Sequence, residues 1–208
     1  MIVLNNEVSI DNGISRIFSL PFFKYTVDNY KSFNSKILSC DSIVNNQLKR
    51  SRKFEGNFLS SFDKHDLESA EWSSELFSFL TDAMTLFLKQ LLKNSDPVDY
   101  QFSLDFSAPW INYYKKGHYQ EVHNHLPSHF SYCYYVKLPV NSGDTIFINS
   151  DHTYNSLIPF KTTANRFIPL INEGDLIIFP SYLNHYVTDN KSDESRITIA
   201  GNIKIEEL

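Results

Sequence analysis

The alternation of apolar and polar residues from residue 99 onward is the feature that most constrains the fold. Residues 100–107 place Tyr, Phe, Leu and Phe at every second position, with Gln, Ser, Asp and Ser between them. This period of two indicates a half-buried β-strand, because successive side chains of a strand point to opposite faces. Comparable patterns predict five more short strands, at residues 110–114, 130–136, 145–148, 175–179 and 196–205.

Turn-forming residues separate these strands, notably at residues 141–144 and 172–175. Short strands at this rhythm are typical of a sandwich or a double-sheet jelly roll, and the aromatic content of 15% fits a β-rich core. The length of 208 residues suits one domain with a sizeable core. We therefore predict a mainly β (α+β) single domain, residues 1–208, with a helical or irregular support region at 1–98 and a jelly-roll core at 99–208.

Residues 66–93 form the clearest predicted helix, because their apolar side chains recur every three or four residues. Asp63 or Asp66 is expected to cap its first turn. Ahead of this helix, the sequence predicts a strand-like segment at residues 15–25 and an exposed polar loop at residues 41–61. The apolar stripe that should pack against a sheet comprises Leu76, Leu80, Ala83, Phe87, Leu88 and Leu91.

Composition argues against several classes of function. The 19 Lys and Arg against 24 Asp and Glu give a net charge of −5, which disfavours non-specific nucleic-acid binding. Cys40 and Cys133 are too few for a disulfide framework and fit a reducing compartment. No apolar run approaches the roughly 18 residues of a membrane span, and the N-terminus lacks the pattern of a signal peptide. We therefore expect a soluble cytoplasmic protein with no nucleic-acid or membrane partner.

Six of the seven histidines fall within residues 118–185, and two of them form the sequence His123-x-His125. Side chains two residues apart on an extended chain point the same way, so both imidazoles can face one interior. His185 is the natural third ligand, because it follows a turn and a buried strand at residues 174–181 and so sits just past a strand end. Three protein ligands with open positions are what an oxygen-activating iron centre needs.

Alternatives for this site stay open at the level of sequence. A carboxylate from Glu121 or Asp144 can complete the ligand set, in which case His125 becomes a hydrogen-bond partner of a ligand. We rank His125 first as the ligand. The remaining histidines of the cluster are expected at the surface or behind the ligands: His118, His129 and His152.

The last predicted strand has one apolar and one polar face. Isoleucines between residues 197 and 205 share one parity, whereas Arg196, Thr198 and Asn202 share the other. If the isoleucine face packs on the helix, Arg196 points into the interior, where an unpaired charge is very costly. The carboxylate of a bound ligand is the expected partner, and a structural ion pair with a buried acid is the alternative. By the same parity argument, two other strands offer polar side chains on one face each: Asn112 with Tyr114, and Tyr132 with Tyr134.

Together these residues resemble the signature of the Fe(II)- and 2-oxoglutarate-dependent dioxygenases. That signature reads His-x-Asp/Glu, then a distal His, then Arg or Lys a short distance later. Here His123-x-His125 is followed by His185 and, 11 residues after it, by Arg196. The resemblance covers residues 110–202, roughly the C-terminal half of the chain.

Further motifs resemble one branch of this superfamily, the prolyl-hydroxylase-like enzymes. Residues 114–117 are similar to the Tyr-x-x-Gly of that branch, and residues 196–198 to its Arg-x-Ser/Thr, which grips the distal carboxylate of 2-oxoglutarate. Within the branch, a group of oxygenases found in phages and bacteria also has His-x-His, a strand like residues 131–136 and a closing segment like residues 196–202.

The resemblance implies a double-stranded β-helix, a cupin-like jelly roll, flanked by N-terminal helices. It implies that His123, His125 and His185 hold Fe(II), and that 2-oxoglutarate chelates the metal through its keto-acid end. O2 is then consumed, with release of succinate and CO2, to hydroxylate a small-molecule or peptide substrate; the substrate's identity and a homo-oligomeric state stay open. The residues expected to bind 2-oxoglutarate are Arg196, Thr198, Tyr114, Asn112, Tyr134 and Asn202.

One residue departs from the superfamily signature, because His125 occupies the carboxylate position. Three neutral imidazoles leave iron more positively charged than two imidazoles and a carboxylate, which can change its redox potential or the metal that binds. Two other functions therefore stay open. One is a cupin-like three-histidine dioxygenase or isomerase that does not use 2-oxoglutarate, and the other is a non-catalytic binding module on the same scaffold.

Overall fold

The computed structural model describes residues 20–40, 49–50, 56–62, 67, 70–92, 102–149 and 166–207. Within these residues the chain forms two antiparallel sheets, of eight and five strands, and two α-helices. Strands and helices are numbered in chain order. The helices are α1 (Tyr30–Ser39) and α2 (Ser73–Leu91).

The larger sheet contains β1 (Phe23–Thr26), β2 (Lys49–Arg50), β4 (Leu59–Ser60), β5 (Phe102–Phe106), β6 (Trp110–Tyr114), β8 (Phe130–Lys137), β11 (Asp175–Pro180) and β13 (Arg196–Glu207). The smaller sheet contains β3 (Gly56–Asn57), β7 (Tyr119–His123), β9 (Thr145–Ile148), β10 (Arg166–Phe167) and β12 (His185–Val187). The strand order is β1-β11-β8-β13-β6-β4-β2 in the larger sheet, with β5 paired to β13, and β10-β9-β12-β7-β3 in the smaller sheet.

The two sheets face each other across an apolar layer. Tyr135 and Phe179 of the larger sheet pack in one cluster with Phe147 of the smaller sheet. Face-to-face packing of two antiparallel sheets is the arrangement expected of a jelly roll. The strands predicted from the alternating pattern are present, with bounds that differ by a few residues at most.

Both helices cover the outer face of the larger sheet. Phe33 of α1 and Leu80 of α2 are fully buried there against the isoleucine face of β13 and its neighbours. The predicted helix at 66–93 begins later, at Ser73, and the expected caps Asp63 and Asp66 lie outside the described residues. The predicted burial of Leu91 is wrong, because its side chain is 46% exposed at the end of the helix.

The N-terminal half supplies strands to both sheets as well as helices. The expected exposed loop at 41–61 is wrong for its last residues, because β3 pairs with β7, β4 pairs with β6, and Phe58 is only 1% exposed. The strand-like segment predicted at 15–25 is represented by β1, which pairs with β11. None of the helices in the described part of the chain is long and apolar enough to cross a membrane.

Candidate functional site

Three histidines from the smaller sheet and its adjoining loop converge between the sheets. His123 ends β7 and His185 begins β12, and the two residues are register partners in the antiparallel pair. His185 therefore starts a strand of the opposite sheet, rather than following β11 as a loop residue. His125 lies two residues beyond β7, where its backbone N–H donates to the carbonyl of Ser181 at 2.8 Å. The candidate ligand atoms of the three histidines all lie within 4.8 Å of one another.

Backbone carbonyls fix the orientation of two of these rings. Nδ1 of His123 lies 2.8 Å from the carbonyl oxygen of Glu121, and Nδ1 of His185 lies 2.9 Å from that of Leu183. Because a carbonyl only accepts, Nδ1 carries the proton in both rings and Nε2 keeps its lone pair. Such carbonyl contacts behind metal-ligating histidines commonly set the tautomer and the ring direction.

The environment of the cluster keeps the imidazoles neutral. Burial lowers the pKa of His123, and it lowers the pKa of His125 to about 3, with the neighbouring His123 adding to the effect. Burial, together with the other two histidines, holds the pKa of His185 well below its usual value. Aromatic rings contribute to this burial, since Phe179 and Phe147 lie 5.0 and 5.4 Å from the ring of His185. The site thus presents uncharged nitrogen donors at neutral pH.

Carboxylates are absent from this donor group in the part of the chain that the structure describes. The group consists of the three histidines, while Glu121 and Asp144 are both exposed. The alternative in which an acid completes the ligand set therefore gains no support from these two residues. His129 is exposed and accepts a hydrogen bond at Nδ1 from the backbone N–H of Ile205, at 2.9 Å. His118 is half-buried outside the group, and His152 lies outside the described residues.

Arg196 is buried at the other end of the same cavity, with an exposed fraction of only 2%. Its Nη1 donates to the carbonyl of Gly143, and its Nη2 donates to Oγ1 of Thr145 at 2.7 Å. Its Nε has no hydrogen-bond partner in the described part of the chain. The rings of Tyr135 and Tyr114 lie 5.4 and 5.9 Å from the guanidinium carbon. Among the described residues no carboxylate comes within ion-pair distance of this cation. A buried guanidinium with no such ion pair is chemically suited to bind an anion.

Three of the remaining predicted residues line the cavity between Arg196 and the histidines, whose volume is about 40 Å³. Thr198, Asn112 and Tyr114 stand together there because Thr198 pairs with Asn112 across β13 and β6, and Arg196 pairs with Tyr114. Oδ1 of Asn112 accepts from the hydroxyl of Ser60 at 2.8 Å. The polar face predicted for β13 thus faces the interior as far as Ala200.

The prediction that Tyr134 lies at this site is wrong. Its side chain points to the opposite face of β8, into the core beneath the helices, where its hydroxyl donates to Oδ1 of Asn34 at 2.6 Å. The neighbouring residue Tyr135 takes the site face, with its hydroxyl 3.0 Å from Oγ1 of Thr145. The parity of β8 was therefore assigned to the wrong face.

Asn202 also lies away from the cavity, although its parity matches Arg196. Its Oδ1 accepts from the hydroxyl of Ser131 at 2.9 Å, and that hydroxyl lies 2.7 Å from the hydroxyl of Ser181. Distance along the strand explains the difference, because the cavity ends at Ala200. Asn202 therefore does not line the cavity that holds Arg196 and the histidines.

Sequence reasoning missed three polar residues around the cavity. Gln120 accepts a hydrogen bond from the hydroxyl of Tyr114 at 2.6 Å, and its amide nitrogen lies 3.2 Å from Nε2 of His123. Thr145 and Tyr135 are the other two, linked to Arg196 as described above. Thr145 is the first residue of a predicted strand, and Gln120 lies three residues before the histidine pair. For Gln120, this closeness to a predicted ligand was the signal that the sequence offered.

Comparison with known proteins agrees with this geometry. Residues 108–202 match the sequence family described as "Putative 2OG-Fe(II) oxygenase". No curated protein matches the sequence significantly. The matched residues are almost the same as those over which the motifs resemble the Fe(II)- and 2-oxoglutarate-dependent dioxygenases.

Three of the solved structures that are similar in fold are described below. A prolyl-4-hydroxylase from Pseudomonas putida is 14% identical, with 89% of this chain and 93% of that chain covered at a TM-score of 0.61. The α-ketoglutarate-dependent epimerase SnoN of nogalamycin biosynthesis is 11% identical, with 88% and 77% covered at a TM-score of 0.63. A Trichoplax adhaerens prolyl hydroxylase, in complex with a hypoxia inducible factor peptide fragment, is 11% identical, with 90% and 83% covered at a TM-score of 0.55. These likenesses confirm the predicted double-stranded β-helix fold.

Proposed function

We propose that this chain is a 2OG-Fe(II) oxygenase, the family that residues 108–202 match, and that the Nε2 atoms of His123, His125 and His185 hold the iron. The support is a donor set of three neutral nitrogens, two of them fixed by backbone carbonyls, which suits Fe(II). When bound, Fe(II) and 2-oxoglutarate supply oxidative chemistry that consumes O2, releases succinate and CO2, and hydroxylates an unactivated C–H bond.

The observation that carries this proposal is the buried, unneutralised Arg196 in the same cavity as the histidines. Its planar guanidinium suits bidentate binding of the far carboxylate of 2-oxoglutarate. Gly143 and Thr145 already hold two of its nitrogens, so the group is oriented before the ligand arrives. Thr198, on the same strand face, contributes a hydroxyl beside it, and Asn112 and Tyr114 line the path from Arg196 to the metal.

His125 in place of a carboxylate alters the charge of the proposed centre. Two imidazoles and a carboxylate reduce the charge of a divalent metal by one, whereas three neutral imidazoles leave it unchanged. The centre therefore attracts an anionic co-substrate more strongly, since the charge of a bound ion dominates the local field. The guanidinium of Arg196 adds to this attraction from the other end of the cavity.

The substrate we propose is a small molecule or a peptide that reaches the site beside His125. Leu126 and Tyr182 are 62% and 49% exposed, and they follow directly on the hydrogen-bonded pair His125 and Ser181. Exposed apolar side chains next to a binding site favour contact with an apolar part of the substrate. A cytoplasmic location, a phage or bacterial origin and a homo-oligomer stay predictions.

Anaerobic titration with Fe(II) and 2-oxoglutarate tests the proposal. The wild-type protein should show the visible charge-transfer absorption of a chelated keto acid, and it should form succinate from 2-oxoglutarate when O2 is admitted. His185→Ala should abolish the absorption and Arg196→Ala should weaken 2-oxoglutarate binding. His118→Gln changes a histidine outside the donor group and should leave both unchanged.

Two results of this titration favour the other functions. Tight metal binding without the absorption and without succinate formation points to a three-histidine enzyme that does not use 2-oxoglutarate. Negligible metal binding by the folded protein points to a non-catalytic binding module. Either result contradicts the roles proposed for Arg196 and Thr198.

A further inference from the structure

Gln120 connects the Arg196 end of the cavity to the histidine cluster. Its side chain is buried, with 7% exposed, and lines the cavity. Its Oε1 accepts from the hydroxyl of Tyr114 at 2.6 Å, and its Nε2 lies 3.2 Å from Nε2 of His123. Tyr114 is itself fixed, because its ring stacks on Phe58 at 5.1 Å.

The hydrogen bonds define which end of the carboxamide faces the histidine. Nδ1 of His123 donates to the carbonyl of Glu121, so its Nε2 carries a lone pair. The amide N–H of Gln120 is a donor that matches this lone pair, whereas a flipped amide would set an oxygen against it. The hydroxyl of Tyr114 holds the amide oxygen at the other side. Gln120 therefore directs an N–H at the atom that is proposed to bind the metal.

Metal binding removes the acceptor of this N–H. A lone pair that coordinates a metal no longer accepts a hydrogen bond, so the amide of Gln120 loses its partner when Nε2 of His123 becomes a ligand. A buried donor without an acceptor is costly. An oxygen atom bound to the same metal, close to Nε2 of His123, is the acceptor that restores the hydrogen bond.

We propose that the carboxamide N–H of Gln120 donates to an oxygen atom of the non-protein ligand on the metal, and so favours oxygen-donor, anionic ligands such as a keto-acid carboxylate. This inference rests on the proposed function, because it requires a metal at the three histidines. Tyr114 is a positioning residue that acts through Gln120 by holding its amide oxygen. Tyr114 thus lies near Arg196 and, through its hydrogen bond to Gln120, also orients a donor at the metal end of the cavity.

Spectroscopic titration of the protein (residues 1–208) with Co(II), and then with 2-oxoglutarate, tests this role without turnover. Visible absorption of Co(II) reports first on metal binding and then on the oxygen ligand. Gln120→Leu should bind Co(II) at least as tightly as the wild type and bind 2-oxoglutarate about tenfold more weakly, the effect of one lost hydrogen bond to a charged ligand. Gln90→Leu, an exposed glutamine of α2, is the matched control and should change neither constant.

Two further variants separate positioning from direct contact. Tyr114→Phe should also weaken 2-oxoglutarate binding, but by less than Gln120→Leu does. The double variant should bind 2-oxoglutarate no more weakly than Gln120→Leu, because both substitutions remove the same interaction. Gln120→Glu replaces the donor by an acceptor of the same size, so it should weaken the binding of 2-oxoglutarate further. This variant also keeps the test valid if Gln120→Leu does not fold.

Wild-type affinity for 2-oxoglutarate and an unchanged Co(II) spectrum in Gln120→Leu and Gln120→Glu would overturn the inference while the proposed function stands. Additive effects of Tyr114→Phe and Gln120→Leu would overturn the positioning role of Tyr114. Failure of the wild-type protein to bind Co(II) would contradict the proposed function itself.

Discussion

Tyr134 and Tyr135 are adjacent on β8 but serve opposite faces, which allows a matched test of the whole arrangement. The hydroxyl of Tyr134 donates to Oδ1 of Asn34, whose Nδ2 donates to the carbonyl of Val136 at 2.7 Å. Tyr134→Phe leaves Oδ1 of the buried Asn34 without a donor. The free energy of unfolding should fall by about 1–3 kcal/mol, the usual cost of a buried unsatisfied polar group.

Tyr135→Phe should instead affect the co-substrate. Its hydroxyl lies 3.0 Å from Oγ1 of Thr145, and that oxygen accepts from Nη2 of Arg196 at 2.7 Å. Loss of the hydroxyl leaves Thr145 a poorer support for the guanidinium. We expect 2-oxoglutarate to bind about five- to tenfold more weakly, which corresponds to about 1–1.4 kcal/mol.

Two measurements on each variant decide the matter. Urea unfolding gives the change in unfolding free energy, provided that the slope with denaturant is unchanged, and anaerobic titration gives the affinity for 2-oxoglutarate. Tyr134→Phe should lose stability and keep its affinity. The assignment of the two faces is refuted if Tyr134→Phe weakens 2-oxoglutarate binding as much as Tyr135→Phe does.

Three further predictions concern the backbone, a thiol and the metal. Gly143 has φ +89°, and an added Cβ would meet the carbonyl of Thr188. Gly143→Ala should therefore lower the free energy of unfolding in urea by about 1–3 kcal/mol, and it should weaken 2-oxoglutarate binding by shifting the carbonyl that holds Arg196. An unchanged free energy of unfolding would contradict this prediction. Burial raises the pKa of Cys133 to about 11, so the thiol stays protonated at pH 8. Alkylation of Cys133, measured by mass spectrometry, should therefore be slow at pH 8 and become faster as the pH rises toward 11. Rapid alkylation at pH 8 would contradict the raised pKa. Fe(II) or Co(II) at a hundred times its Kd should stabilise the wild type by about 2.7 kcal/mol in thermal or urea unfolding, and a similar gain in His185→Ala would argue against the metal site.

The face of β13 that lines the site could be predicted from sequence because its two faces differ sharply. Isoleucines of one parity lie under the helices, and Arg196 and Thr198 of the other parity enter the cavity. A strand covered on only one side by apolar packing shows its orientation in its alternation. The prediction of the three histidines as one group rests on the same logic, since His123 and His125 lie two residues apart.

The orientation of β8 could not be read in this way. Its sequence, residues 130–137, is buried on both faces, so apolar and aromatic residues occur at both parities and give no period of two. The sequence of β8 alone therefore does not show to which face of the sheet the side chain of Tyr134 points. Short strands were missed for a different reason: β12 has three residues and β10 has two, too few for any periodicity.

Gln120 and Thr145 escaped prediction because their roles depend on contacts distant in sequence. Thr145 meets Arg196 across 51 residues, and that contact follows from how the two sheets face each other. Gln120 lies near His123 in sequence, yet its amide direction is set by Tyr114 on another strand. A sequence pattern predicts which side chains share one face of a strand. To predict hydrogen bonds between strands, one must also know which residues of the strands are paired.

The pairing of His185 with His123 across β12 and β7 divides the three donors into two kinds. Two are anchored in a backbone ladder, where a shift of either strand by one residue would turn its imidazole to the other face of the sheet. The third, His125, is carried by the segment that connects β7 to β8, and backbone hydrogen bonds to Ser181 and Ile203 hold that segment in place. Replacing His125 by another donor residue should therefore change the ligand set while the ladder keeps the other two imidazoles side by side.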